Sequence, residues 1–383
     1  MPRSCLRVLC SIVVAVVVTC SVVVKNAGAD ELLVFVSAFA AGDEGGIHAF
    51  HLDTDSGTMK LSQRTGGMEH PFFMALGPNG KFLYAIHAPG KFGGTTNEQV
   101  SAYKVLGRDG KLELINRQSA LGTAACSLAV DATGKTVLVA NYLTGSVASL
   151  PVGGDGSLGK AATFAQHAGS SVDPKRQQEP HAHCIIVSPD NRFAFAADLG
   201  LDQVLSYRLD AKQATLSPNR QPFVRTPPGV GPRHLIFDPA GEHVYVVNEL
   251  HNSVTLFDYV QESGMLIERQ TISTLPEDFD GVSYCADLKI TPDGKFLYAT
   301  NRGHDSIAGY RIGDGGRLTL VGIEASLGKG PQNLAITPDG KLLLCANMPG
   351  KNVVLFRIDS EQGALKAVGE PVVMPGPSCI LIR

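Results

Sequence analysis

The stretch Leu288-Lys289-Ile290-Thr291-Pro292-Asp293-Gly294-Lys295-Phe296-Leu297-Tyr298-Ala299-Thr300-Asn301 reads as two strands joined by a tight turn. Leu288 and Ile290 alternate with polar neighbours, Pro-Asp-Gly supplies turn chemistry, and Phe296 to Ala299 begins a second apolar run. The pattern recurs. Counting from Gly294, equivalent turn residues are Gly80, Gly134, Asn191, Gly241 and Gly340, spaced 46 to 57 residues apart. Two residues before each anchor stands Pro78, Ala132, Pro189, Pro239, Pro292 or Pro338. Four and six residues before each anchor the chain is apolar, as in Leu76 with Met74 and Val187 with Ile185.

Each unit continues with a third strand ending on an aromatic residue, such as Ser253 to Phe257 or Ser306 to Tyr310, and with a short fourth strand after Gly-x-Leu. A period of about 50 residues with four strands predicts a blade of a β-propeller. Six anchors give six blades. Residues 32–61 hold strands two to four of another unit, and Cys379-Ile380-Leu381-Ile382 has the pattern of its missing first strand. The expected fold is all-β: a seven-bladed propeller of four-stranded antiparallel blades, closed by the C-terminal strand joining the N-terminal blade and leaving no open edge.

Residues 1–29 are read as a signal peptide and 30–383 as the propeller. Arg3 and Arg7 precede an apolar run from Val8 to Val24, and Ala27-Gly28-Ala29 forms a small-residue cleavage site. This predicts export to a periplasm or the exterior, with no stable membrane contact after cleavage. The alternative is an uncleaved N-terminal anchor. Three of the eight cysteines lie in this leader; the remaining five, Cys126, Cys184, Cys285, Cys345 and Cys379, form no CxxC pair and read as small buried hydrophobes. A formal charge of -3 carries no basic excess, so no nucleic-acid partner is expected. Aromatics make up only 7% and Trp is absent, which argues against aromatic stacking platforms.

The repeat supplies its own background for finding chemistry. Seven residues after each anchor stand His87, Asn141, Asp198, Asn248, Asn301 and Asn347, and a repeated polar residue of this kind is expected to tie off loops. One position further on, only Glu249 and Arg302 are charged. Eight residues before each anchor, only His183 and Arg233 depart from bland neighbours. All four map to one mouth of the ring, in blades four, five and six. Charges near a narrow channel are costly unless paired or used. They predict an acid–base pair with two guanidinium groups for an anionic substrate group. His181, His234 and His304 are accessory candidates. His234 follows Arg233 and is expected on the opposite face, as a hydrogen-bonded core residue; Asp287 is expected to be structural. A metal site among these histidines is disfavoured, because Arg233 and Arg302 would repel a dication; no metal or cofactor is expected.

The segments Pro180-His181-Ala182-His183, Gly231-Pro232-Arg233-His234, Asn248-Glu249-Leu250 and Asn301-Arg302 resemble the lactonase family of seven-bladed propellers, which includes 6-phosphogluconolactonases and carboxy-muconate cyclases. The resemblance covers residues 31–383. It implies a site of one His, two Arg and one Glu, which fall on His183, Arg233, Arg302 and Glu249. It also implies a small-molecule lactone as substrate, opened by water with His183 and Glu249 as the acid–base pair and Arg233 and Arg302 on an anionic group. The alternatives are a lactonising cycloisomerase and a non-catalytic binding propeller. No GxSxG motif is present, so direct attack by water suits the chain better than an acyl-enzyme.

Overall fold

The computed structural model describes residues 1–2 and 31–383. The leader read over 1–29 and its cleavage point after Ala29 therefore lie, but for the first two residues, outside the described residues. The rest forms seven four-stranded antiparallel sheets. Six are built from consecutive strands. The seventh joins Pro377–Ile382 to Leu32–Ala38, Gly46–Asp53 and Thr58–Thr65. Closure is by backbone pairing of Val34 with Ile382 through Ser37 with Cys379. We call this blade one; the six anchors from Gly80 to Gly340 lie in blades two to seven.

Alternation along the first three strands of each blade sends side chains to both faces, where they meet the adjoining blades. Between blades four and five, Phe193, Phe195, Val244, Val246 and Phe257 form one such buried layer. A recurrent polar staple accompanies the layers. Tyr84, Tyr245 and Tyr298, on second strands, donate to the carbonyls of Gly156, Gly316 and Gly363 in the following blades. Each of those glycines has a positive φ, and a Cβ there would collide with the ring of Phe82, His243 or Phe296. Glycine is thus required for the close approach as well as for the turn.

The fourth strands differ from expectation. Those of blades four and five run Thr215–Arg225 and Met265–Ser273, 11 and 9 residues, rather than being short. Their outward faces are solvated and their pairing contains register shifts, which break the alternation that would have revealed their length.

Loops between strands two and three, and those crossing from one blade to the next, open at one mouth of the ring. The polar residues closing the second strands anchor them. Asn141, Asn301 and Asn347 donate to the carbonyls of Ala120, Thr274 and Ser326, and Asp198 accepts from the His181 amide.

Candidate active site

The innermost strands carry a repeated irregularity at this mouth. The pairing of first and second strands skips one residue at Cys126, His183, Arg233, Gln332 and Ser378, and at Ala286-Asp287 in blade six. These are β-bulges, and a bulge re-aims a side chain while interrupting the ladder. Here the bulge residue reaches the neighbouring blade: Cys126 Sγ contacts His183, His183 faces Glu249, and Arg233 donates to the Ala286 carbonyl.

Glu249 is the centre of the cluster. Its Oε2 accepts from Arg233 Nε at 2.9 Å and from Arg302 Nη2 at 2.8 Å, and lies 3.9 Å from His183 Nε2. The four residues singled out by blade comparison therefore meet at one carboxylate. Its other oxygen, Oε1, accepts from Arg176 Nη2 at 2.6 Å. Arg176 is a third arginine absent from the sequence reading. It lies in the crossing loop between Thr163–Gln166 and Ala182–Val187, where no equivalent residue in another blade exists for comparison. The one available signal is the widest anchor spacing, from Gly134 to Asn191, which marks an inserted segment.

The loop is a compact knot. Asp173 Oδ1 accepts the Lys175 and Arg176 amides, and the wholly buried Gln177 donates from Nε2 to the Leu199 carbonyl at 2.8 Å. Arg176 is one-third exposed and Arg302 about one-quarter, so both reach solvent; Arg233 is only 1% exposed. Tyr142 accepts from Arg176 at 3.1 Å, and the Tyr284 ring lies beneath the same guanidinium at 5.8 Å.

The accessory histidines diverge. His181 stacks on Tyr142 with ring centroids 4.4 Å apart, and its Nδ1 bonds the Tyr142 carbonyl oxygen. His234 lies one residue further along the channel, 5.5 Å from His183 between ring centres, with Nδ1 bonded to Asp287 at 3.0 Å. It is hydrogen-bonded within the core, yet close under the site rather than on a remote face, because the bulge at Arg233 resets the alternation. His304 turns to Ser306 Oγ at 2.7 Å and packs edge-on against Phe279. Among the described residues no three of His, Cys, Asp and Glu gather as a metal-ligand group.

Charge states follow from this packing. Burial opposes ionisation of Glu249, but Arg302, Arg233 and Arg176 overcome it and hold the carboxyl far below its ordinary range. Burial, reinforced by Arg233, pushes His183 well below 6.5, and the same two causes lower His234 to about 4. Both imidazoles are neutral at pH 7. Cys126 Sγ lies 3.5 Å from His183 Nδ1, but burial pushes the thiol up and keeps it protonated, so the pair is no thiolate nucleophile.

Phenylalanines gather elsewhere around this mouth. Phe39, Phe72 and Phe92, from blades one and two, pack with centroids 5.2 to 5.5 Å apart, and all three are partly exposed. Low aromatic content argued against such a cluster; local concentration in two adjoining loops and in the residues just before the strand Met74–Leu76 produces it.

Residues 33–382 match the model of the family described as lactonase, seven-bladed β-propeller. The chain belongs to this lactonase family. A 6-phosphogluconolactonase of Bacillus subtilis is 33% identical over 90% of this chain and 97% of its own length. A second, from Formosa agariphila, is 34% identical over 90% and 98%. Among solved structures, the periplasmic gluconolactonase of Pseudomonas aeruginosa superposes with a TM-score of 0.86 at 30% identity, covering 92% of this chain and 98% of that one. The chain is an enzyme of the lactonase type.

Proposed function

We propose that the protein hydrolyses a lactone bearing an acidic group, at the mouth where His183, Glu249, Arg176 and Arg302 meet. The observation that carries this reading is the convergence of three guanidinium groups and a neutral imidazole on one buried carboxylate. Named lactonase relatives along almost the full chain support the reaction class.

In this reading His183 is the general base. Glu249 is a poor base because three arginines already occupy its lone pairs, whereas His183 Nε2 is neutral and lies on the Glu249 side of the ring. A water attacks the ester carbonyl while His183 takes its proton. A new C–O bond forms and the carbonyl oxygen gains charge, which the partly exposed Arg302 stabilises. Collapse breaks the ring C–O bond, and His183 returns its proton to the leaving alkoxide. The product carboxylic acid then loses a proton to solvent. Arg233, buried and bonded to Glu249 and the Ala286 carbonyl, fixes the carboxylate in place. Export belongs to the same reading. The basic start, apolar run and Ala27-Gly28-Ala29 motif fit a leader, and the similarity to a periplasmic relative supports it.

The test is hydrolysis of phosphorylated, carboxylated and neutral aldonolactones by the wild type and His183→Asn. The expected result is measurable wild-type turnover and a loss of about 10²–10⁴-fold in kcat for the variant, the usual worth of a general base. Full activity in His183→Asn would overturn the mechanism. No wild-type turnover of any lactone would overturn the function.

A further inference from the structure

The charges at the mouth do not balance. Three guanidinium groups contact one carboxylate, and the adjoining His183 is neutral, so the contacting cluster carries two surplus positive charges. Asp287, the next acid toward Arg233, is already paired with Lys289 at 2.6 Å, and among the described residues Glu249 is the acid in ion-pair contact with these arginines. Uncompensated charge in a partly buried site is costly unless something of opposite sign meets it.

The three arginines are not equivalent. Arg233 commits Nε and Nη1 to Glu249 and Ala286. Arg302 commits Nε to the Tyr284 carbonyl and Nη2 to Glu249 and the Cys285 carbonyl. Arg176 uses only Nη2; its Nε and Nη1 make no hydrogen bond to the described residues. It is also the most exposed of the three. Its backbone is held by the Asp173 turn and the buried Gln177, while its side chain rests on the Tyr284 face and against the Tyr142 hydroxyl.

We propose that Arg176 is the specificity residue of this site, using its uncommitted Nε and Nη1 donors to bind a second anionic group, phosphate or carboxylate, at the end of the substrate away from the lactone carbonyl. This rests on the lactonase reading and deepens it. Ring opening of an anionic lactone creates a carboxylate, so the product is at least doubly charged and matches the surplus of two. A neutral lactone gives a product with one charge and leaves the Arg176 Nε and Nη1 donors unfilled. Guanidinium suits the task because it stays charged and keeps donors to spare, so Nε and Nη1 can each donate to an anion while Nη2 holds Glu249.

The experiment measures product binding by calorimetry, which needs no turnover. The probes are 6-phosphogluconate, glucarate and gluconate, titrated into wild type, Arg176→Ala and Arg176→Lys. The wild type is expected to bind at least one of the two double anions about 10-fold or more tightly than gluconate, the worth of one charge-assisted hydrogen bond. Arg176→Ala erases that preference by weakening the double anions at least about 10-fold more than gluconate, and Arg176→Lys restores part of it. Phosphate and carboxylate recognition separate by which of the two double anions is preferred. Equal binding of all three by the wild type, or a preference that survives in Arg176→Ala, would overturn the proposal. Intact double-anion selectivity in a protein that opens no lactone would instead sink the lactonase reading alone. Thermal midpoints and the Lys variant distinguish a lost contact from a misfolded loop, since misfolding weakens gluconate equally.

Discussion

Glu249 is held ionised by its neighbours, and the buried histidines are held neutral by theirs. The two effects add in one direction when acid is applied. His234 and His87 are lowered to about 4, each mainly by burial, and His183 falls well below 6.5 for the same reason. Between pH 6.5 and 4 the unfolded chain binds protons on these histidines that the folded chain refuses, so stability falls as pH falls. The limit is about 1.4 kcal/mol per pH unit for each histidine. Below about 4.5, the unfolded value of a Glu, Glu249 adds a loss of the same sign, because its folded value is depressed. The thermal midpoint is expected to drop steadily from pH 7 to pH 4. A flat midpoint down to pH 5 would show that these rings are accessible to protons. At this scale the sequence was readable where the repeat offered a control: His183 and Arg233 stood out against four bland counterparts, and Glu249 and Arg302 against four more. Arg176 had no counterpart, and nothing in its local composition separates it from an ordinary surface arginine.

The inserted loop shows how an element can carry a function that its residues alone do not announce. Asp173 closes a turn over the two following amides, and Gln177 plugs the knot into blade four through the Leu199 carbonyl. Gln177→Ala removes the plug and orphans that carbonyl, at a cost of about 1–3 kcal/mol. If the knot is what aims Arg176, the variant weakens KM for acidic lactones more than for neutral ones while kcat changes little. An equal shift for both classes would mean that the loop only stabilises the fold. The bulges make the complementary point. Alternation predicted strands correctly, but a single skipped residue cannot be seen in a hydrophobic pattern, and it is this skip that brings His234 under His183. The fourth strands escaped for a related reason: exposed edges have no apolar face to keep time.

Closure of the whole ring depends on one short strand. Pro377–Ile382 buries Cys379 and Ile380 and pairs along Leu32–Ala38. Deleting residues 377–383 would open a blade and expose the inner edge of Leu32–Ala38, an invitation to pair with another chain. The truncated protein is expected to lose its cooperative melting transition or to aggregate on purification, read by calorimetry and light scattering; an unaltered melt would show that the ring holds without its clasp. The composite blade was legible because the two half-units are complementary, each supplying what the other lacks.

The clasp also fixes a direction. Leu33 and Arg383 exchange backbone hydrogen bonds at the far end of blade one from Ser37 and Ser378. Head and tail of the propeller therefore emerge side by side on the floor of the disc, while Arg176 and Glu249 look out from its ceiling. A molecule immobilised on a bead through its C-terminus would sit like a bowl on a table, its arginine-lined side open to whatever flows past.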